Sequence, residues 1–244
     1  MVAFFCIFIL QKLGMRLFLK MLLLLLTVHG FSQEMNPDLS PIKIDSLYRE
    51  DQFYFGFTFN SLQKKPIGLT QDKFSSGFAT GFLRDMPFNK KRSLAIAAGM
   101  GFSFNTYNHN LKISNASPTN EYEIIPARSY TTNRFTQLSV EVPIELRWRT
   151  STFESYKFWR IYAGVKFSYL LLDKSIFEDT QGKTIVTHND DFNKFCYGTY
   201  ISAGYNSVNV YAYYGLNSLF QKAKINATPI DMNSMNIGII FYIL

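Results

Sequence analysis

The chain has 244 residues, 25 Lys and Arg against 18 Asp and Glu, two cysteines, 24 Phe and 15 Tyr. This length suits one domain. The basic residues lie in scattered groups such as Lys64-Lys65 and Lys90-Lys91-Arg92, with no basic block, which argues against a nucleic-acid partner.

The first element in the chain reads as an export signal. Met15-Arg16-Leu17-Phe18-Leu19-Lys20 is a short basic region, and Met21 to Val28 is an almost unbroken apolar run. Gly30-Phe31-Ser32 then sets small residues at the −3 and −1 places of a cleavage site, with Gln33 as the mature start. The apolar core is about half the ~20 residues a spanning helix needs, so an anchor is the poorer reading. Residues 1–32 are therefore read as a signal peptide, with 1–14 as an upstream mis-start ahead of Met15. Removing the leader takes Lys12, Arg16 and Lys20 and no acid, so the net charge falls from +7 to about +4. Cys6 leaves with it. Cys196 alone remains, and an intramolecular disulfide is impossible.

Residues 33–50 are polar and read as a flexible periplasmic lead-in, and 51–244 as the folded domain. From residue 51 onward the hydrophobic pattern has period two. Eight strands are expected, near 51–62, 74–86, 92–106, 134–149, 158–172, 193–205, 208–218 and 233–244. The intervening gaps alternate long and short, at about 11, 5, 27, 8, 20, 2 and 14 residues, and the short ones carry turn chemistry such as Asn206-Ser207. Long loops at one end and tight turns at the other are the layout of a transmembrane barrel. The expected fold is all-β, an eight-stranded antiparallel up-and-down transmembrane β-barrel. No helix of useful length falls between strands, which excludes βαβ folds.

Volume decides which face points outward. The first strand sets Phe53, Phe55, Phe57 and Phe59 against Tyr54, Gly56, Thr58 and Asn60, and the third sets Leu94 through Phe104 against Ala, Gly and Ser. An eight-stranded lumen is only just wide enough for side chains, so the bulky rows are expected to face lipid. A soluble lipocalin-like ligand binder, the alternative, would reverse the faces. On the small-residue face of the fourth and fifth strands stand Glu141, Glu145, Arg147, Arg160 and Lys166. With the hairpin closing near Phe153, Glu141 faces Lys166 as an ion pair and Glu145 lies diagonal to Arg160. Such charges are tolerable in a lumen only when paired, so they read as a polar plug, with an ion path as the sharper alternative. Pro143 removes a ladder hydrogen bond, and a bulge is expected there.

Other chemistry is thin. His109 and His188 both fall in long loops and could meet; His188 with Asp190 is the one pair that could imitate a hydrolase rim, and no third orienting group accompanies it. The loop around His188 is acidic but lacks an ordered calcium-loop spacing. No enzyme, metal or cofactor is expected. Cys196 reads as a small lumen-face residue beside Gly198. At the last strand, Asn236, Gly238, Phe241 and Ile243 fit the polar-x-Gly-x-x-aromatic-x-hydrophobic signal by which the barrel-assembly machinery recognises outer-membrane barrels.

A leader ending Gly-Phe-Ser-Gln, the run Asp51-Gln52-Phe53-Tyr54-Phe55-Gly56, the Gly77–Gly81 strand leading to Arg84-Asp85-Met86-Pro87, and the Gly-x-x-aromatic end resemble the PorT-like outer-membrane β-barrel proteins, often labelled "porin family". The resemblance covers residues 33–244. It implies an outer-membrane location and a structural or interaction role, supporting type IX secretion or surface adhesion. Expected partners are outer-membrane lipid, the assembly machinery, and a surface or secretion-system protein met through the loops. A narrow transporter or channel is the alternative.

Overall fold

The computed structural model describes residues 50–89, 91–116, 119–126, 129–150 and 158–243. The leader, residues 33–49 of the lead-in, and Phe153 at the expected hairpin closure lie outside the described residues. Eight strands form the barrel wall: β1 (Gln52–Gln63), β2 (Ser76–Pro87), β3 (Leu94–Asn108), β6 (Thr132–Arg149), β7 (Trp159–Glu178), β9 (Phe195–Tyr205), β10 (Val208–Gly215) and β13 (Asn233–Ile243). Each pairs antiparallel with its barrel neighbour in chain order, and β1 closes on β13 from Phe53↔Ile243 to Gln63↔Asn233. The fold is thus a closed, eight-stranded, up-and-down barrel. One end carries the tight connections, and the other carries four long loops.

The observed strands match the expected ones to within a few residues, with β7 as the exception. It runs six residues past Leu172 and pairs with β8 (Lys183–Thr187), a strand the sequence pattern did not reveal. Within the loops lie two more unforeseen hairpins, β4 (Leu111–Ala116) with β5 (Thr119–Ile124), and β11 (Lys224–Ile225) with β12 (Thr228–Pro229). The last turns on Asn226 and Ala227, both at positive φ, the geometry of a two-residue type I′ turn.

Alternation sorts the wall as the volume argument requires. Phe53, Phe55, Phe57 and Phe59 are exposed, as are Ile96, Met100, Phe102 and Phe104 of β3 and Ile237, Ile239 and Ile243 of β13. Trp148, Trp159 and Tyr205 stand together at the turn end of three neighbouring strands, and Phe59, Phe74 and Tyr169 stand toward the loops. Bulky apolar rows pointing outward from a closed wall need lipid.

The interior is less uniformly small than volume alone suggests. Tyr54, Tyr162, Tyr200, Tyr211, Tyr213 and Tyr242 all point inward and are buried. Glycines on facing strands make the room. A Cβ on Gly81 would stand 2.6 Å from the Tyr54 hydroxyl, and one on Gly198 would meet Tyr213 at 2.5 Å; Gly101 is equally closed off by Tyr54.

Pro143 causes no bulge. The β3–β6 register is unchanged on either side, from Ala98↔Ile144 to Gly101↔Glu141, and the ladder merely skips Gly99 and Met100 opposite Pro143 and Val142. The missing N–H therefore faces β3, while Pro143↔Lys166 pairing with β7 is kept. The true irregularity lies at Leu138/Ser139, where β7 carries Leu171 as an extra residue and turns both Leu171 and Leu172 outward.

Candidate functional site: a lumen closed at both ends

At the turn end, the lumen is filled by a charge lattice. Asp85 of β2 accepts from Arg147 Nη1 at 2.9 Å and from Arg149 Nη1 and Nη2 at 2.9 and 2.8 Å, the latter a bidentate pair. Arg147 Nε donates to Glu145 Oε1 at 2.7 Å, and Glu145 Oε2 accepts from the Tyr200 hydroxyl at 2.7 Å. The residue entering β1 joins the lattice. The Glu50 carbonyl accepts from Arg147, its N–H donates to Asp85, and its carboxylate lies 3.5 Å from Arg149. Arg160 is held by rings, 4.4 Å from the centroid of Phe158 and 5.8 Å from those of Tyr162 and Tyr242.

Midway along the lumen, Lys166 Nζ lies 3.0 Å from Glu141 Oε1, donates to the Tyr211 hydroxyl at 3.2 Å and sits over the Tyr213 ring. Two voids of about 30 and 40 Å³ flank this pair and share Ser103, Asn105, Glu141, Lys166 and Asn236 in their walls. At roughly 10–15 Å³ per water, each has room for a few waters. An asparagine layer follows. Thr58 donates to Asn60, and Asn60 Nδ2 donates to Asn105 Oδ1 at 3.0 Å.

The structure brings Glu141 to Lys166 and Glu145 to Arg147. It does not bring Glu145 to Arg160: Glu145 is directly opposite Gly164 and Arg160 opposite Arg149, so the hairpin closes in a different register from the expected one. For the same reason Glu141 sits opposite Ser168 and reaches Lys166 diagonally. The sequence reading also left out three members. Asp85, Arg149 and Glu50 are buried with the expected five, giving four acids and four bases among the described lumen residues. Strand parity carried the signal for two of them. Asp85 shares the inward parity of Gly77, Ala79 and Gly81, and Arg149 that of Glu145 and Arg147.

The loop end is closed by different chemistry. Leu62, Leu69, Leu111, Ile113, Val186, Leu219, Ile230 and Met232 pack around Phe135, Phe192 and Phe220 in a buried apolar cluster to which all four loops contribute. Phe192 and Phe220 stack at 4.6 Å between centroids, and Phe135 lies 5.2 Å from Phe192. Backbone and amide bonds tie the loops in sequence. Thr70 donates to Asn110, Asn120 to Asn189, the Tyr122 hydroxyl to Asp191, and Asn193 to the Leu219 carbonyl.

His109 is part of this cap. It is buried against Phe135, and its Nδ1 accepts from the Leu111 N–H at 3.1 Å, which leaves the proton on Nε2. Burial drives its pKa down to about 3, so the ring is neutral. His188 is exposed on the rim at φ 55°. Nothing joins the two histidines among the described residues, so the expectation that they could meet is not realised. Cys196 packs half-buried under the cap, its Sγ 3.7 Å from the Asn193 carbonyl. Of the C-terminal signal residues, Asn236 points into the lumen, Gly238 fits where a Cβ would strike the Phe57 carbonyl, and Ile243 is exposed. Phe241 pairs with Phe55.

Three comparisons bear on identity. No curated protein matches the chain. Among solved structures it is similar to the attachment invasion locus protein Ail of Yersinia pestis, at 13% identity over 80% of this chain and 99% of that one, with a TM-score of 0.36. It is also similar to a mutant porin of Rh. blastica, at 9% identity over 80% of this chain and 100% of that one, with a TM-score of 0.21. The family described as "Outer membrane protein beta-barrel domain" matches residues 31–221. With that match and a closed eight-stranded wall, the chain belongs to the outer membrane protein β-barrel domain family.

Proposed function

We propose that this outer-membrane barrel is a non-conducting scaffold whose task is to present its folded outer cap to a protein partner, in surface adhesion or in support of type IX secretion. The observation that carries this reading is the double closure of the lumen, by the charge lattice at the turn end and the apolar cluster at the loop end. Solute passage would need both to open. A loop set with its own buried core and interloop bonds favours a fixed shape, which suits recognition better than a mobile entrance. In this reading the loops face outward and the tight turns face the periplasm. Export by a leader cleaved after Ser32, and insertion guided by Asn236, Gly238, Phe241 and Ile243, belong to the same proposal. So does a binding role in place of catalysis, since the histidines lie apart and His109 is sealed in an apolar cluster.

Planar-bilayer recording on the refolded full chain tests it. The expected trace has no stable unitary steps. Reproducible single-channel openings from the unmodified protein would overturn the scaffold reading in favour of a narrow channel.

A further inference from the structure

Among the described residues, the wall loosens where β7 passes from one partner strand to the next. The ladder between β7 and β9 ends at Tyr169↔Phe195, and the ladder between β7 and β8 begins at Lys174↔Thr187. Between them one backbone–backbone bond, from the Leu170 N–H to the Lys194 carbonyl at 2.8 Å, links β7 to the 188–194 segment. A cavity of about 230 Å³ fills this gap, against the roughly 10–15 Å³ one water needs on the same measure.

Its lining divides into two chemistries. The lower wall is Tyr169 and Leu171, both exposed and continuous with the lipid face, where Phe195 stands beside Tyr169 and stacks with Phe167. The extra residue in β7 at this level is what turns Leu171 outward together with Leu172. The upper wall is polar: Asp173, His188, Asp190 and Lys194. Lys194 is paired with Asp190 at 3.2 Å. Asp173 is different. Its half-buried carboxylate accepts from the Asn189 N–H at 3.0 Å, and no cation lies within 4.0 Å of it among the described residues. His188 and Lys194 act on it only from beyond that distance, and an incoming ammonium would offset the cost of its partial burial.

We propose that this window seats one membrane lipid whose headgroup carries a primary ammonium beside a phosphate. The ammonium docks on Asp173, the phosphate turns to Lys194, and the acyl chain lies along Leu171 and Tyr169. The occupant is a lipid because the apolar wall runs unbroken into the bilayer-facing surface. The headgroup is zwitterionic because the polar wall offers a carboxylate outside ion-pair distance of any described cation together with an exposed lysine.

The full chain, refolded into vesicles of equal parts phosphatidylethanolamine, phosphatidylcholine and phosphatidylglycerol, is released and weighed with its retained lipid by native mass spectrometry. The expected result is about tenfold enrichment of phosphatidylethanolamine over the other two, equal to about 1.4 kcal/mol. Asp173→Asn keeps an acceptor for the Asn189 N–H and is expected to abolish the preference. Lys194→Gln, at an exposed site, is a second variant expected to reduce retention several-fold, and heat-modifiable gel mobility checks that both variants fold. Equal retention of the three lipids, or unchanged enrichment in Asp173→Asn, would overturn the site. Displacement of bound lipid by micromolar soluble phosphoethanolamine would overturn the lipid assignment in favour of a free small molecule.

Discussion

The two ends of this lumen are sealed by opposite means. At the turn end, Arg147 and Arg149 share Asp85, and Asp85, Glu145 and Tyr200 all hang on barrel strands whose register is fixed by ladders on both sides. At the loop end, Phe135, Phe192 and Phe220 meet from three separate segments and need only fit by volume. Ionic closure demands placement to a few tenths of an ångström, which rigid strands supply. Apolar closure tolerates looser geometry and suits loops, which gain a core from packing together. The barrel thus places its position-sensitive chemistry where the scaffold is stiffest.

The most damaging way to break this contrast is Asp85→Ala. It strips the shared acceptor from two fully buried guanidiniums and should cost about 3–5 kcal/mol, the range for breaking a buried pair. The expected sign is a large drop in the urea midpoint of the heat-modifiable folded band. Next, Phe192→Ala empties the centre of the cap, and about 3–5 kcal/mol is typical of a buried Phe. That loss should stay in the loops. Limited proteolysis is expected to reach the 188–194 and 216–232 segments, while the gel shift of the barrel survives. Loss of the gel shift in both variants would mean that the two ends are one cooperative unit.

A pH titration sharpens the contrast further. His109 is neutral in the folded cap with a pKa near 3, against 6.5 for an unfolded histidine. Between these values the opened cap binds a proton that the closed cap does not. Cap stability is therefore complete above about pH 6.5 and falls by about 1.4 kcal/mol for each unit of acidification toward pH 3. Amide exchange at Leu111, corrected for its intrinsic rate, should show opening about tenfold more frequent per unit across that window, and His109→Leu should remove the slope. The smallest expected effect is Ala227→Gly. Ala227 sits at φ 68°, where a side chain costs about 1–2 kcal/mol, so glycine should slow exchange in the β11–β12 hairpin and leave everything else unchanged.

Most of the wall was legible in the chain because one face of each strand must suit lipid, so parity, turn chemistry and loop lengths agree. The misreadings have local causes. Leu170-Leu171-Leu172 breaks the alternation because β7 carries its extra residue there, and Asp173-Lys174 beyond it looks like an exit from the strand, so the pattern ends β7 early. A turn centred near Phe153 sets the expected hairpin register, which moves Glu145 toward Arg160. The cap was invisible for a different reason. Leu69, Ile113, Val186, Phe192, Leu219 and Met232 come from four loops with no common period, and their contact is a property of the closed fold alone.

The pairing of β1 with β13 also sets a clock. Phe53 finds Ile243, 190 residues further on, so this seam joins the first and last strands of the barrel. Contacts of such separation make folding slow, because the entropy of closing the loop is lost before the bond is gained. Until that seam forms, β1 and β13 each present a free row of amides and carbonyls. The seam is therefore expected to close late, and a chain interrupted before Asn233 leaves β1 and β10 each with an unpaired edge.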